Sequence, residues 1–204
     1  MTTQQHQNTE STLGAVPQVN LPTGYQTVGP YFKIGLEAFY RDDLTGLNTP
    51  GQIIEISGSV IDADGATVPD AVLEFWQADS EGRYPDKPQH QPFEGSFVGF
   101  GRVPTNADGH FRFRTIKPGM VQADTPARQA PHILVSVFLR GLLNRLVTRI
   151  YFSDETTNAE DPLLLSVDGR RRNSLVARAD PSQPGRYEWD VFLQGDNETV
   201  FFDL

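Results

Sequence analysis

TIKPGMVQADTPARQAPHILVSVFLRGLLNRLVTRIYF, from Thr115 to Phe152, is the longest strongly apolar stretch of the chain. It holds two strand patterns. From His132 to Leu139, Ile133, Val135, Val137 and Leu139 share one face, and His132, Leu134, Ser136 and Phe138 share the other, because side chains alternate along a strand. From Arg145 to Phe152, Leu146, Thr148, Ile150 and Phe152 oppose Arg145, Val147, Arg149 and Tyr151. Arg140-Gly141 between the two runs predicts a turn.

The same alternation recurs outward from this pair. Upstream, Gln52–Ile61, Ala71–Ala78 and His110–Ile116 read as strands, punctuated by Asp62-Ala-Asp-Gly65, Asp79-Ser-Glu-Gly82 and Asn106-Ala-Asp-Gly109. Downstream, Arg186–Gln194 alternates Tyr187, Trp189, Val191 and Leu193, and Glu198–Leu204 reads as a last short strand. Asp154–Asp161 is expected to form a short helix stopped by Pro162. Tyr84–Gly101 is a long loop, of the kind that serves function or an interface. Many strands and no long amphipathic helix predict an all-β fold, a β-sandwich. Before residue 52 the character changes. Residues 1–20 are polar and read as a flexible tail. Residues 21–51, opening Leu21-Pro-Thr-Gly-Tyr-Gln-Thr-Val-Gly-Pro-Tyr31, read as an extended arm and loop contacting a partner, and 52–204 as the sandwich domain.

Composition narrows the function. The chain has 204 residues, enough to bury one core without cross-links, and no cysteine, which excludes disulfides and thiolate metal sites. A net charge of −9 disfavours nucleic acid and anionic membrane as partners. No apolar run is long enough to span a bilayer and the N-terminus lacks a signal-peptide layout, so a cytoplasmic protein is expected.

Residue types alone do not disclose a catalytic site. There is no phosphate-binding glycine loop, G-x-S-x-G elbow or H-E-x-x-H motif. His6, His90, His110 and His132 are too scattered to form a histidine-only metal cluster. His132 by itself reads as a hydrogen-bonded residue at a strand start. Arg170-Arg-Arg172 reads as a solvated charge run, with a partner-facing patch as the alternative.

The order of short segments says more. Phe75-Trp-Gln-Ala-Asp79, Gly82-Arg-Tyr84, Gly99-Phe-Gly-Arg102, Phe113-Arg-Thr-Ile-Lys-Pro-Gly119, Ala130-Pro-His132 and Thr148-Arg-Ile-Tyr-Phe152 occur together in sequence. The set resembles the intradiol ring-cleaving dioxygenases from about Thr27 to the C-terminus. Thr27-Val-Gly-Pro-Tyr-Phe-Lys-Ile-Gly35 and Glu198-Thr-Val-Phe-Phe-Asp203 are similar to the α chain of the family's two-chain members rather than to the β chain.

The resemblance implies chemistry and also a departure from it. Iron-bearing members hold Fe(III) through two tyrosines and two histidines, hard anionic phenolates and imidazoles that suit a ferric ion. Tyr84 and His132 match one of each, but Met120-Val121 follows Lys-Pro-Gly where the second tyrosine is expected, and Leu134 stands where the second histidine is expected. Tyr84 and His132 are therefore read as vestigial metal-ligand positions, with no catalytic residue and no metal in this chain alone. The implied role is that of an α subunit whose homologous β partner binds Fe(III), in a hetero-oligomer of several α/β pairs. The implied substrates are protocatechuate (3,4-dihydroxybenzoate) and O2, cleaved to 3-carboxy-cis,cis-muconate. By motif the α contribution to the substrate pocket falls on Thr27, Gly29, Pro30, Tyr31 and Arg140. The alternatives are a non-catalytic β-sandwich scaffold or binding module that has lost the metal site, and a self-sufficient enzyme with altered ligands.

Overall fold

The computed structural model describes residues 23–27, 29, 31–46, 48–84, 97–122 and 128–203. The predicted tail, residues 1–20, lies outside them. The apolar alternations become strands β1 (Ile53–Ile61), β2 (Val72–Gln77), β4 (His110–Ile116), β7 (Ile133–Phe138) and β8 (Leu146–Phe152), with β3 (Phe100–Pro104) between β2 and β4. Shorter strands are β5 (Val121–Gln122), β6 (Arg128–Gln129), β9 (Val176–Ala179), β10 (Arg186–Glu188) and β11 (Val191–Phe192).

One sheet runs β11-β1-β10-β9-β8-β7-β2-β3 with β4 also on β1, and β5-β6 form a small separate ribbon. The large sheet doubles back over itself, nearly closing into a barrel, so that its two halves pack face to face. Phe75 of β2 stacks on Phe113 of β4 with ring centroids 3.8 Å apart, and both lie in one core with Ile56, Val135, Ile150 and Trp189. Truncating such a fully buried aromatic costs about 3–5 kcal/mol, so this stack is a principal clamp between the layers.

Four expectations need correction. The helix of Asp154–Asp161 is a 3-10 turn at Thr156–Glu160. Pro162 does not stop it but opens α1 (Pro162–Ser166), capped by the Asp161 side chain on the Leu164 N–H; proline lacks only an N–H that the first helical turn leaves unpaired anyway. Arg186–Gln194 keeps a single parallel register on β1 but is interrupted, because the Asp190 carboxylate takes the Ser59 N–H at 2.9 Å in place of a backbone carbonyl. The segment Glu198–Asp203 forms no ladder. It is held by isolated backbone bonds, Thr199 N–H to Phe192 O and Phe202 N–H to Val147 O, together with side-chain hydroxyls: Thr199 Oγ1 accepts from Phe192 N, and Thr148 Oγ1 donates to Val200 O at 2.8 Å. Leu204 lies outside the described residues. The loop after Tyr84 also ends earlier than expected, since Phe100 and Gly101 already belong to β3.

The register between β2 and β7 positions the site. Val72 pairs with Phe138 and Gln77 with Ile133 in an antiparallel ladder. Residues just before β2 therefore meet those just after β7, and residues just after β2 meet those just before it. His132 and Arg140 stand at opposite ends of one strand, roughly 25 Å apart at the rise of an extended chain.

Candidate functional site

At the first end, His132 is fully buried. Its Nδ1 donates to the Ala130 carbonyl at 2.8 Å, which leaves Nε2 to accept from the Tyr84 hydroxyl at 3.3 Å. Burial first, then the nearby Arg149 cation, lowers the His132 pKa to about 4, so the imidazole is neutral at pH 7. Burial also pushes the Tyr84 phenol up. Tyr84 is set in place by its stack on Trp76 of β2, with ring centroids 5.9 Å apart. Two residues earlier Gly82 has φ +82° and its backbone lies against Met120 so closely that a Cβ would fall 1.9 Å from the Met120 carbonyl oxygen. Only glycine fits that approach.

These residues do not fit a ferric ion. The pair supplies one phenol held neutral and one imidazole, while Val121 is buried aliphatic packing and Leu134 lies directly across the ladder from Arg149. The Arg149 guanidinium donates to Gln129 Oε1 at 2.8 Å, and its Nε is buried without a hydrogen-bond partner. A fixed cation beside two neutral donors opposes a trivalent metal. Among the described residues no group of three or more His, Asp or Glu side chains is arranged to hold a metal ion.

At the other end, the Arg140-Gly141 turn forms as expected, with Gly141 at φ +90°. Thr27 crosses 114 positions of sequence to reach it: the Gly141 N–H donates to Thr27 Oγ1 at 2.9 Å, and the Gly29 N–H shares the same oxygen at 3.3 Å. The Lys33 ammonium adds a long 3.4 Å contact to the Pro69 carbonyl. The structure thus brings Thr27 and Gly29 onto the turn that carries Arg140. Tyr31 lies further out, 75% exposed. Pro30 falls outside the described residues. Arg140 is itself mostly exposed and its Nε is 3.1 Å from Asp70 Oδ2. Sequence reasoning missed Asp70 and Arg149. Only the β2–β7 and β7–β8 registers reveal them.

The three arginines at 170–172 are each engaged: Arg170 with Asp168, Arg171 with Glu198, and Arg172 with the Val167 and Leu165 carbonyls. Arg170 and Arg171 are thus paired with carboxylates, while Arg172 is tied to backbone carbonyls. No helix among the described residues is long and apolar enough to cross a membrane.

Known proteins of similar sequence and shape place the chain in a family. A family model described as Dioxygenase matches residues 28–195. The chain is 46% identical over 197 residues to the protocatechuate 3,4-dioxygenase alpha chain of Burkholderia cepacia, covering 89% of this chain and 97% of that one. It is also 37% identical over 158 residues to the beta chain from the same organism, covering 73% of this chain and 67% of that one. Among solved structures, the dioxygenase domain of a dioxygenase and carbohydrate-binding fusion from Streptomyces sp. SirexAA-E superposes with a TM-score of 0.60 at 30% identity, over 88% of this chain and 99% of that chain. By the family model over most of its length and these relatives, the chain belongs to the intradiol ring-cleaving dioxygenase family.

Proposed function

We propose that this chain is the α subunit of a protocatechuate 3,4-dioxygenase and acts on the substrate from outside the metal site. Fe(III) would be held by the homologous β partner and would supply the activation of the catechol toward O2. The bond between the two hydroxyl-bearing carbons would break, each carbon taking one oxygen atom of O2 to become a carboxylate, giving 3-carboxy-cis,cis-muconate. The observation that carries this reading is the joint between arm and turn: Thr27 Oγ1 on Gly141 N at 2.9 Å holds the arm beside Arg140, at the end of β7 away from the Tyr84–His132 pair.

The roles follow from residue chemistry. Gly29 and Pro30 present backbone with little side-chain bulk, which lets a ligand approach closely. Tyr31 supplies an aromatic wall with a polar tip. Arg140 offers a guanidinium to the carboxylate of the substrate, against the overall negative charge of the chain. Tyr25, Tyr31, Ile34 and Phe39 are all more than 60% exposed on residues 25–39. Large apolar side chains grouped on one segment favour a partner-covered surface, and the β chain is the partner the resemblance supplies. The assembly is a hetero-oligomer of α/β pairs working in the cytoplasm.

Co-expression with a β homologue tests the proposal. Protocatechuate-dependent O2 uptake by the complex, with none by this chain alone, is the expected result. A complex that assembles but consumes no O2 would favour a scaffold without catalytic part.

A further inference from the structure

Asp70 has no place in the roles assigned so far, and its surroundings are unusual. It is 9% exposed, yet neither carboxylate oxygen accepts a hydrogen bond. Burying a carboxylate without donors is costly, and each such case in a folded protein calls for a reason. The one cation within 4 Å of it among the described residues is Arg140, whose Nε is 3.1 Å from Oδ2, an ion pair whose angle is not that of a hydrogen bond.

The fold makes this meeting unavoidable. Val72 pairs with Phe138, and stepping two residues outward on each strand of the antiparallel ladder places position 70 opposite position 140. The segment carrying Asp70 is also held rigidly. Thr105 Oγ1 donates to the Val68 carbonyl at 2.8 Å and accepts from the Ala71 N–H at 3.0 Å, so one buried hydroxyl bridges both sides of Pro69-Asp70. The partner residue is not rigid by itself, since Arg140 stands on an exposed turn with its side chain 59% exposed. A fixed anion therefore meets a long, solvated cation, whose Nε lies 3.1 Å from the carboxylate.

We infer that Asp70 is a positioning residue: it pins the exposed Arg140 side chain so that the guanidinium is presented to the carboxylate of an aromatic acid held beside the arm. The inference rests on the substrate role proposed for Arg140. Ordering a long side chain before binding lowers the entropy lost on binding. The sign of the effect distinguishes positioning from simple charge. Removing an anion near an anionic substrate weakens repulsion and lowers KM, whereas losing the orientation of Arg140 raises it.

The test is steady-state kinetics on the reconstituted α/β complex with Asp70→Asn, Asp70→Glu, Arg140→Ala and the Asp70→Asn/Arg140→Ala double variant, each checked by thermal melting. Asp70→Asn is expected to raise KM for protocatechuate about fivefold with kcat within twofold, Asp70→Glu to recover part of it, and the double variant to match Arg140→Ala alone. Failure of Asp70→Asn to fold shifts the comparison to Asp70→Glu against wild type, where a KM change confined to the Arg140 background is required. An unchanged or lowered KM, a fall in melting temperature alone, or effects that add in the double variant would overturn the inference while leaving Arg140 in place. An Arg140→Ala complex with unaltered kinetics would instead remove the substrate role of Arg140, and this inference with it.

Discussion

The two ends of β7 are built from similar materials and do different things. At the His132 end, the polar groups of the pair bond to one another and to the backbone. His132 is buried between the Ala130 carbonyl and the Tyr84 hydroxyl, Tyr84 lies flat on Trp76, and Arg149 faces Leu134. At the Arg140 end, polar groups sit at or near the surface and connect distant parts of the chain: Thr27 to Gly141, Lys33 to Pro69 and Arg140 to Asp70. The first end has the makings of a core and the second those of a binding edge. One strand therefore separates a buried pair that stabilises the fold from the edge proposed to face a ligand.

Acid stability gives the largest contrast between the ends. His132 is held neutral with a folded pKa near 4, below the usual value of 6.5. Above 6.5 both folded and unfolded chains carry it neutral and its contribution to stability is complete. As the pH falls from 6.5 toward 4 the unfolded chain takes up a proton that the fold excludes, and stability drops by up to roughly 3 kcal/mol. Urea unfolding between pH 4 and 7.5 should therefore show a flatter acid limb for His132→Gln than for wild type. Identical pH profiles would mean that this end is not the sealed core described.

Next in size is the opposite end. Charge-assisted hydrogen bonds contribute about 1.5–3 kcal/mol, so Arg140→Ala in the α/β complex should raise KM for protocatechuate by a factor of about 10 to 100, measured by O2 uptake. Thr27→Ala removes the oxygen that accepts from both the Gly141 and the Gly29 N–H, the shorter bond, to Gly141, contributing about 1 kcal/mol. A KM increase of about fivefold with little change in melting temperature is expected. The smallest effect sharpens the comparison by its absence from catalysis: Tyr84→Phe should lower unfolding free energy by about 1 kcal/mol while turnover of the complex stays within twofold. A large loss of turnover in Tyr84→Phe would put chemistry at the buried end.

The strands most legible in sequence were those whose backbone bonds are made by other backbones. His110–Ile116 forms over the residues that Phe111, Phe113, Arg112 and Arg114 mark by alternation. Errors arise where side chains intervene in the ladder. Asp190 breaks an otherwise regular run, and Thr148 and Thr199 hold the C-terminal segment without a ladder. Alternation records which face is buried, not which atom accepts the hydrogen bond. β9 was missed because Val176–Ala179 is too short to show a period. The candidate site divides similarly. Tyr84, His132, Thr27 and Arg140 were legible through the order of short segments, and Leu134 and Val121 through departures from it. Asp70 and Arg149 were not, because their neighbours are set by cross-strand register, which no single strand carries.

Iron stoichiometry tests the division of labour most directly. Metal analysis of the purified α/β complex, with this chain alone measured beside it, should give one iron per α/β pair and none in the lone chain. Two irons per pair, or iron bound by this chain on its own, would contradict the separation of a sealed Tyr84–His132 core from an Arg140 edge that serves the partner's site.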